Sequence, residues 1–342
     1  MITNELKVLS IAAGSIFSLL VLLLAYLIIR KIFETRERKN INLLKEKLSV
    51  PLLDFITEEK VARDLRIDSE LKLKAAEEVL SSYSAILEGE QEKKNLYTFA
   101  DLNFRAYYLK SLRSRRWSKR MNALYHIEDF GLLGLQEEIL KIARNPRSSQ
   151  DERVHALRIL ASFQFSQLYS LLEEQLPLSD YEYRNILMRL QQKEFEPFIL
   201  SFHHCHDALQ WGILDCIAIY RETSYTTFVE KVFAVYEGEV RLRAVKALAA
   251  IGYVKDAKPY LPLSQSEQWQ ERMVAAKLFG ALKEPSLLPI LVELLHDSSW
   301  YVRSQAAQSI RMQPNGIEAL RNVLETSNDS FAKDMAREWM NH

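Results

Sequence analysis

A chain of 342 residues that is 48% hydrophobic and 26% charged has the composition of a folded protein, not a disordered one. Lys+Arg and Asp+Glu each number 45, so the net charge is zero and no global electrostatic pull on nucleic acid is expected. Nine glycines and nine prolines argue against a turn-rich β fold, and two cysteines, Cys205 and Cys216, cannot form a disulfide framework and suit a reducing compartment.

The chain opens on an apolar run, Val8 to Ile29, VLSIAAGSIFSLLVLLLAYLII, without a charge. As a helix it would be roughly 33 Å long, enough to cross a hydrocarbon core of about 30 Å. A cleaved signal peptide would want a basic leader, a shorter apolar core and a small-x-small site. Here only Lys7 precedes the run, and Arg30 and Lys31 come after it. Residues 1–33 therefore read as a retained transmembrane anchor. Arg30, Lys31, Arg36, Arg38 and Lys39 crowd its C-terminal side, which puts that side in the cytoplasm and the N-terminus outside. Residues 34–66 read as a juxtamembrane connector. ETRERKNINLLKEK continues the membrane helix into water, and Pro51 ends or restarts a helix.

Residues 67–114 read as a helical hairpin. Ala76, Val79, Leu80, Tyr83, Ile86 and Leu87 recur at helical spacing, and Gly89 stands where a C-terminal cap would be. In the second helix Leu96, Phe99, Asn103, Ala106 and Lys110 trace one side, with Tyr97, Phe104, Tyr107 and Tyr108 around it. The pair reads as an N-terminal cap on the repeats of residues 115–327.

From 115 to 327 one pattern returns. Arg303 is followed by Ala306, Ala307 and Ile310; Arg272 by Ala275, Ala276 and Phe279; Arg241 by Ala244, Val245 and Leu248. Gln210 takes the arginine's place before Ile213, Leu214 and Ile217, so the anchors 210, 241, 272 and 303 lie 31 residues apart. The spacing loosens upstream at Arg184 (Leu187, Met188), Arg153 (Ala156, Leu157, Leu160) and Arg120 (Ala123, Leu124, Ile127). A fixed period of this size marks a solenoid of stacked units, here about seven helix pairs. The first helices are expected over 115–129, 151–163, 179–190, 207–220, 238–251, 268–282 and 298–311, with a shorter helix after each. Gly131, Pro146, Pro177, Gly238, Gly252, Pro285 and Pro314 stand at the expected turns. In the fifth unit Pro259 and Pro262 confine the second helix. Residues 328–342 supply a capping helix with Trp339.

These units resemble bacterial HEAT-like repeats of the armadillo-type superhelix. The shared motif is D/E-x-x-V-R-x-x-A-A-x-x-L/I, read in Asp297 to Ile310 and Glu239 to Leu248 with the acid at other spacings and Val245 in place of the second alanine. The resemblance implies an all-α, right-handed α-α superhelix whose second helices line a concave surface, and it implies protein binding more often than catalysis. A membrane-anchored arrangement also resembles repeat proteins found with bacterial envelope and polysaccharide synthesis machinery.

The expected role is a membrane-anchored cytosolic scaffold that binds a partner protein or membrane complex, with Val8 to Ile29 in the membrane and no nucleic acid or cofactor. The alternative is an enzyme of the HEAT-like kinds that act on bilins or alkylated bases. No glycine-rich phosphate loop, G-x-S-x-G or H-E-x-x-H is present to support it. The recurring arginines are expected to bridge units, with Asp297, Glu239 and Glu271 as candidate partners. Trp117, Trp269, Trp300 and Tyr181 each precede an anchor by three residues; they are expected either between units or as an exposed aromatic row. His203, His204, Cys205 and His206 are metal-ligand types at poor spacing, and no metal is expected there. Units 179–236 depart most from the pattern. Their partner contact is expected at Phe198, Phe202 and His204, helped by the basic run at Arg113, Arg115, Arg116 and Arg120. That run, KSLRSRRWSKR, otherwise suits a solvated helix start or an anionic surface.

Overall fold

The computed structural model describes residues 2–60, 62, 65–174 and 178–341. Among them there is no strand. The chain is an all-α, HEAT-like solenoid of helix pairs preceded by one long apolar helix, and it divides into two compact units, Met1–Ile159 and Leu160–His342.

The first unit holds α1 (Ile2–Glu58), α2 (Glu70–Ser84), α3 (Glu90–Leu112), α4 (Trp117–Asp129), α5 (Gln136–Arg144) and most of α6 (Gln150–Ser162). From Ile11 onward α1 is long and apolar enough to cross a membrane, and the apolar window is not buried anywhere in the protein. The helix then continues without a break through Pro51, where the sequence suggests an end or restart. Ile41, Leu48, Leu52 and Ile56 line one face and are buried against α2 and α3. Burying each is worth about 1.5–3 kcal/mol, which together exceeds the roughly 3 kcal/mol cost of an interior proline. Tyr83 of α2 donates its hydroxyl to the carbonyl of Ser49, 2.9 Å away, just before that proline.

Two expectations for the hairpin are corrected. Gly89 does not close α2, which ends at Ser84 with Ala85 as its C-cap; it is the N-cap of α3 with extended backbone. The buried face of α3 runs through Leu96, Phe99, Phe104 and Tyr108, while Ala106 and Lys110 are exposed. The aromatic rings decide the orientation because they bury the most area.

The second unit continues with α7 (Leu168–Glu173), α8 (Asp180–Leu187), α9 (Gln192–Leu200), α10 (Asp207–Tyr220), α11 (Thr226–Val235), α12 (Gly238–Ile251), α13 (Trp269–Leu282), α14 (Leu288–Leu294), α15 (Trp300–Arg311), α16 (Gly316–Thr326) and α17 (Ser330–Asn341). Pro177 lies outside the described residues. The first helices pack on one another in succession: α8 on α10, α10 on α12, α12 on α13 and α13 on α15. Side chains at three, four and seven places after each anchor make these seams. Ala275, Ala276, Phe279, Ala306, Ala307 and Ile310 are all fully buried. The seam is tight: a Cβ on Gly280 would lie 2.5 Å from Cβ and Oγ of Ser309. α12 ends at Gly252, whose φ of +76° is the left-handed cap that a glycine supplies cheaply.

α8 is shorter than expected. It stops at Leu187 because Gln164 seizes the next turn, donating to the carbonyl of Arg189 (2.9 Å) and accepting from the amide of Gln191 (2.8 Å). In the fifth pair a 3-10 run, Lys258–Gln265, replaces the second α-helix. Pro259 and Pro262 cannot donate the amide bonds that an α-helix would need there.

Candidate functional site

Two of the recurring arginines bridge neighbouring repeats. Arg272 makes a bidentate bridge to Asp297, with Nε to Oδ2 at 2.5 Å and Nη2 to Oδ1 at 2.9 Å. Its Nη1 donates to the carbonyls of Ser266 and Glu267. Arg120 repeats the arrangement in the first unit, with Nε and Nη2 on Glu152 and Nη1 on the carbonyls of Ser114 and Arg115. Burial alone would raise the Asp297 carboxyl, but the bonds from Arg272 and the Ser299 amide, with the charges of Arg272 and Arg303, hold it below its ordinary value. Glu152 is depressed in the same way, by Arg120 and Ser149 against burial. Arg184 lies 3.6 Å from Asp215, while Arg241 and Arg303 rest on the rings of Phe233 and Phe331. Of the expected carboxylates, Asp297 is such a partner. Glu239 instead pairs within its own helix with Arg243, and no ion pair involves Glu271 among the described residues.

Arg243 has no place in the repeat pattern, yet it ties three first helices, bonding Glu239 (2.7 Å), Asp215 (2.8 Å) and Asp180 (2.9 Å). Burial works against its charge, but Glu239, Asp215 and Asp180 outweigh it and raise its pKa. No periodic signal could reveal it, since two of its partners come from α8 and α10.

Of the residues expected to make the contact on the middle units, the two phenylalanines are buried and the histidine is exposed. Phe198 and Phe202 are 1% and 3% exposed. Phe198 packs edge-on against Tyr169, and Phe202 against Phe228 and Tyr236. These units depart from the pattern because bulkier rings fill their core. His204 is exposed with its ring beside that of His203. Cys205 turns inward, its thiol 3.5 Å from the carbonyl of Ser201 and pushed up to about 11 by burial. Among the described residues no group of three His, Cys, Asp or Glu side chains could hold a metal ion.

The aromatic positions three before the anchors do reach solvent. Within the second unit Trp269, Trp300 and Tyr181 are exposed, and one further step of the period reaches Phe331, also exposed. Trp269 stacks on Tyr301 with ring centroids 5.0 Å apart, and Trp300 meets the same tyrosine edge-on at 5.3 Å. The rings thus pack between units and still show a face to water. In the first unit Trp117 is exposed, and its indole donates to Ser149.

A polar cleft of about 430 Å³ opens among α2, α3 and α4 in the first unit. Arg116, Lys119 and Lys74 line it together with Glu77, Tyr107 and Tyr108. Tyr108 donates its hydroxyl to Glu77, and burial together with that negative charge drives the phenol's pKa far up. Lys119 lies over the ring of Tyr107. Arg113, Arg115 and Arg116 are exposed, whereas Arg120 is bound by Glu152 and the loop carbonyls. Three of the four basic residues expected to contact a partner therefore reach solvent, and the fourth shapes their loop.

Comparison with known proteins matches residues 258–340 to HEAT repeats. Among solved structures, an engineered protein is 16% identical with a TM-score of 0.38, covering 90% of this chain and 96% of its own. Kap95p, whose binding induces the switch loops of RanGDP to adopt the GTP-bound conformation, is 11% identical with a TM-score of 0.47. The match covers 90% of this chain and 52% of Kap95p. Human deoxyhypusine hydroxylase in complex with glycerol is 12% identical with a TM-score of 0.25, covering 88% of this chain and 97% of its own. No curated protein matches the chain.

Proposed function

We propose that this HEAT-like repeat protein is a membrane-anchored scaffold, not an enzyme, and that the edge formed by Trp269, Trp300, Tyr301 and Phe331 takes a partner protein. The observation that carries this reading is the exposed aromatic stack at the turns, in a chain whose other repeated features are consumed by packing. Trp and Tyr dominate interface hot spots because they supply large rigid area at small entropic cost. A solenoid edge is preorganised, so little ordering entropy opposes binding.

The unburied apolar stretch of α1 supports anchoring, and the basic flank supports a cytosolic array with the N-terminus outside. A complex of the envelope, in the same membrane, is the partner class that suits this placement.

The test is crosslinking in native membranes with Trp300→Ala/Tyr301→Ala. Loss of at least tenfold in the crosslinked partner is expected, since two hot-spot rings are worth about 1.4 kcal/mol or more together. Unchanged crosslinking by a folded variant would move the contact off this edge.

A further inference from the structure

The contacts within the first unit fix where the basic run lies along α1. Glu37 of α1 bonds Lys74 of α2 at 2.7 Å, Lys45 bonds Glu78 at 2.9 Å, and Ser49 accepts from Tyr83. The numbers rise together, so α2 runs parallel to α1. Its first turn, with Glu70, therefore points back toward the apolar segment. The polar cleft joins that turn to Arg116, Ser118 and Lys119 at the start of α4. The loop carrying Arg113, Arg115 and Arg116 thus sits level with the first charged turns of α1. Glu37 is eight residues past Ile29, or about 12 Å along a helix. Headgroups take up roughly 5–8 Å of that distance, and the Debye length in physiological salt is about 8 Å.

The cleft is lined by three acids (Glu70, Glu77, Glu78) and three Lys/Arg (Lys74, Arg116, Lys119), whereas residues 113–119, the loop and the start of α4, carry four bases and no acid. Glu77 accepts from Tyr108, and Glu78 is taken by Arg38 and Lys45. Arg115, Arg116 and Lys119 form no ion pair among the described residues. Exposed Trp117 stands between them, an indole of the kind that settles at a membrane–water interface. Arg120, held by Glu152, grips the carbonyls of Ser114 and Arg115 and keeps the loop in this shape.

We infer that the α3–α4 loop binds the headgroups of anionic phospholipids in the leaflet next to α1, so that the first unit is clamped to the membrane surface as well as tethered to it. This rests on the reading of α1 as a membrane span. Long basic side chains reach toward the phosphates while their stems stay on the protein.

The test uses the full-length protein in nanodiscs of phosphatidylcholine, alone or with phosphatidylglycerol at about 30%, where each cation near the surface adds appreciable attraction. Amide deuterium uptake is measured over residues 113–118. Exchange on the order of tenfold slower is expected in the anionic bilayer. The difference should disappear in Arg116→Gln/Lys119→Gln and in about 0.5 M salt, while exchange in α2 and α3 stays as in the wild type. Equal exchange in both bilayers, with the chain still embedded, overturns the lipid site and leaves the anchor standing. Slowing that appears only on addition of an acidic polypeptide would assign the loop to a protein and also overturn it. Release of the chain from vesicles by an alkaline carbonate wash would defeat the anchor itself, and the inference with it.

Discussion

Arg272 and Arg120 use one guanidinium geometry in two units, but the acids that answer them differ in position. Asp297 lies six residues before the next anchor arginine, Arg303, whereas Glu152 lies one before Arg153. The arginines are legible because the period repeats them. Asp297 is legible because it stands at a turn. Glu152 is not, since only the folded turn at Ser149 brings its carboxylate round. The same limit hides Arg243. For Asp297 the pH dependence has a definite sign. Its folded pKa lies below the ordinary value of about 3.9, so its contribution is complete above that value and is lost as the pH falls through the folded pKa. Asp297→Asn should lower stability by about 1–3 kcal/mol near pH 7, because Arg272 keeps its carbonyl partners but loses its counter-charge. In thermal unfolding the gap from wild type should narrow as the pH drops below about 4. A gap that is equally wide at the acid end would mean the bridge contributes nothing.

At the scale of elements, α10 and α12 begin and end as the sequence suggests. The hairpin is less legible. Several residues of α3 could face inward by spacing alone, and ring area chooses among them. At Pro51 the local rule fails, because Leu48, Leu52 and Ile56 outweigh it. Phe198 and Phe202 show the reverse: departure from a repeat suggests function where it records bulkier packing. Close approach of α13 and α15 gives a sharp test. Gly280→Ala places a methyl 2.5 Å from Ser309, and its nearest atoms include that residue's Cα, so the helices themselves must shift. A loss of about 1–3 kcal/mol is expected. For a unit of this size each kcal/mol lowers Tm by about 2–4 °C. An unchanged melting temperature would show that the seam is looser than its geometry.

For the whole molecule, the two compact units and the apolar helix set the questions of place and side. The solenoid class is readable from the period, since each unit repeats its buried positions. Which surface remains free is not, because burial depends on neighbours from other pairs. Orientation is tested by a reporter fused after His342. Activity that requires the cytosol is expected, and activity of an exterior-dependent reporter would reverse the proposed topology. The unbroken course of α1 has a mechanical consequence. Its 57 residues make a rod of about 86 Å with no joint between the apolar stretch and the face packed on α2. A rod without a joint transmits torque. If its apolar end is turned, the first unit must turn with it, without any change in the unit's own fold.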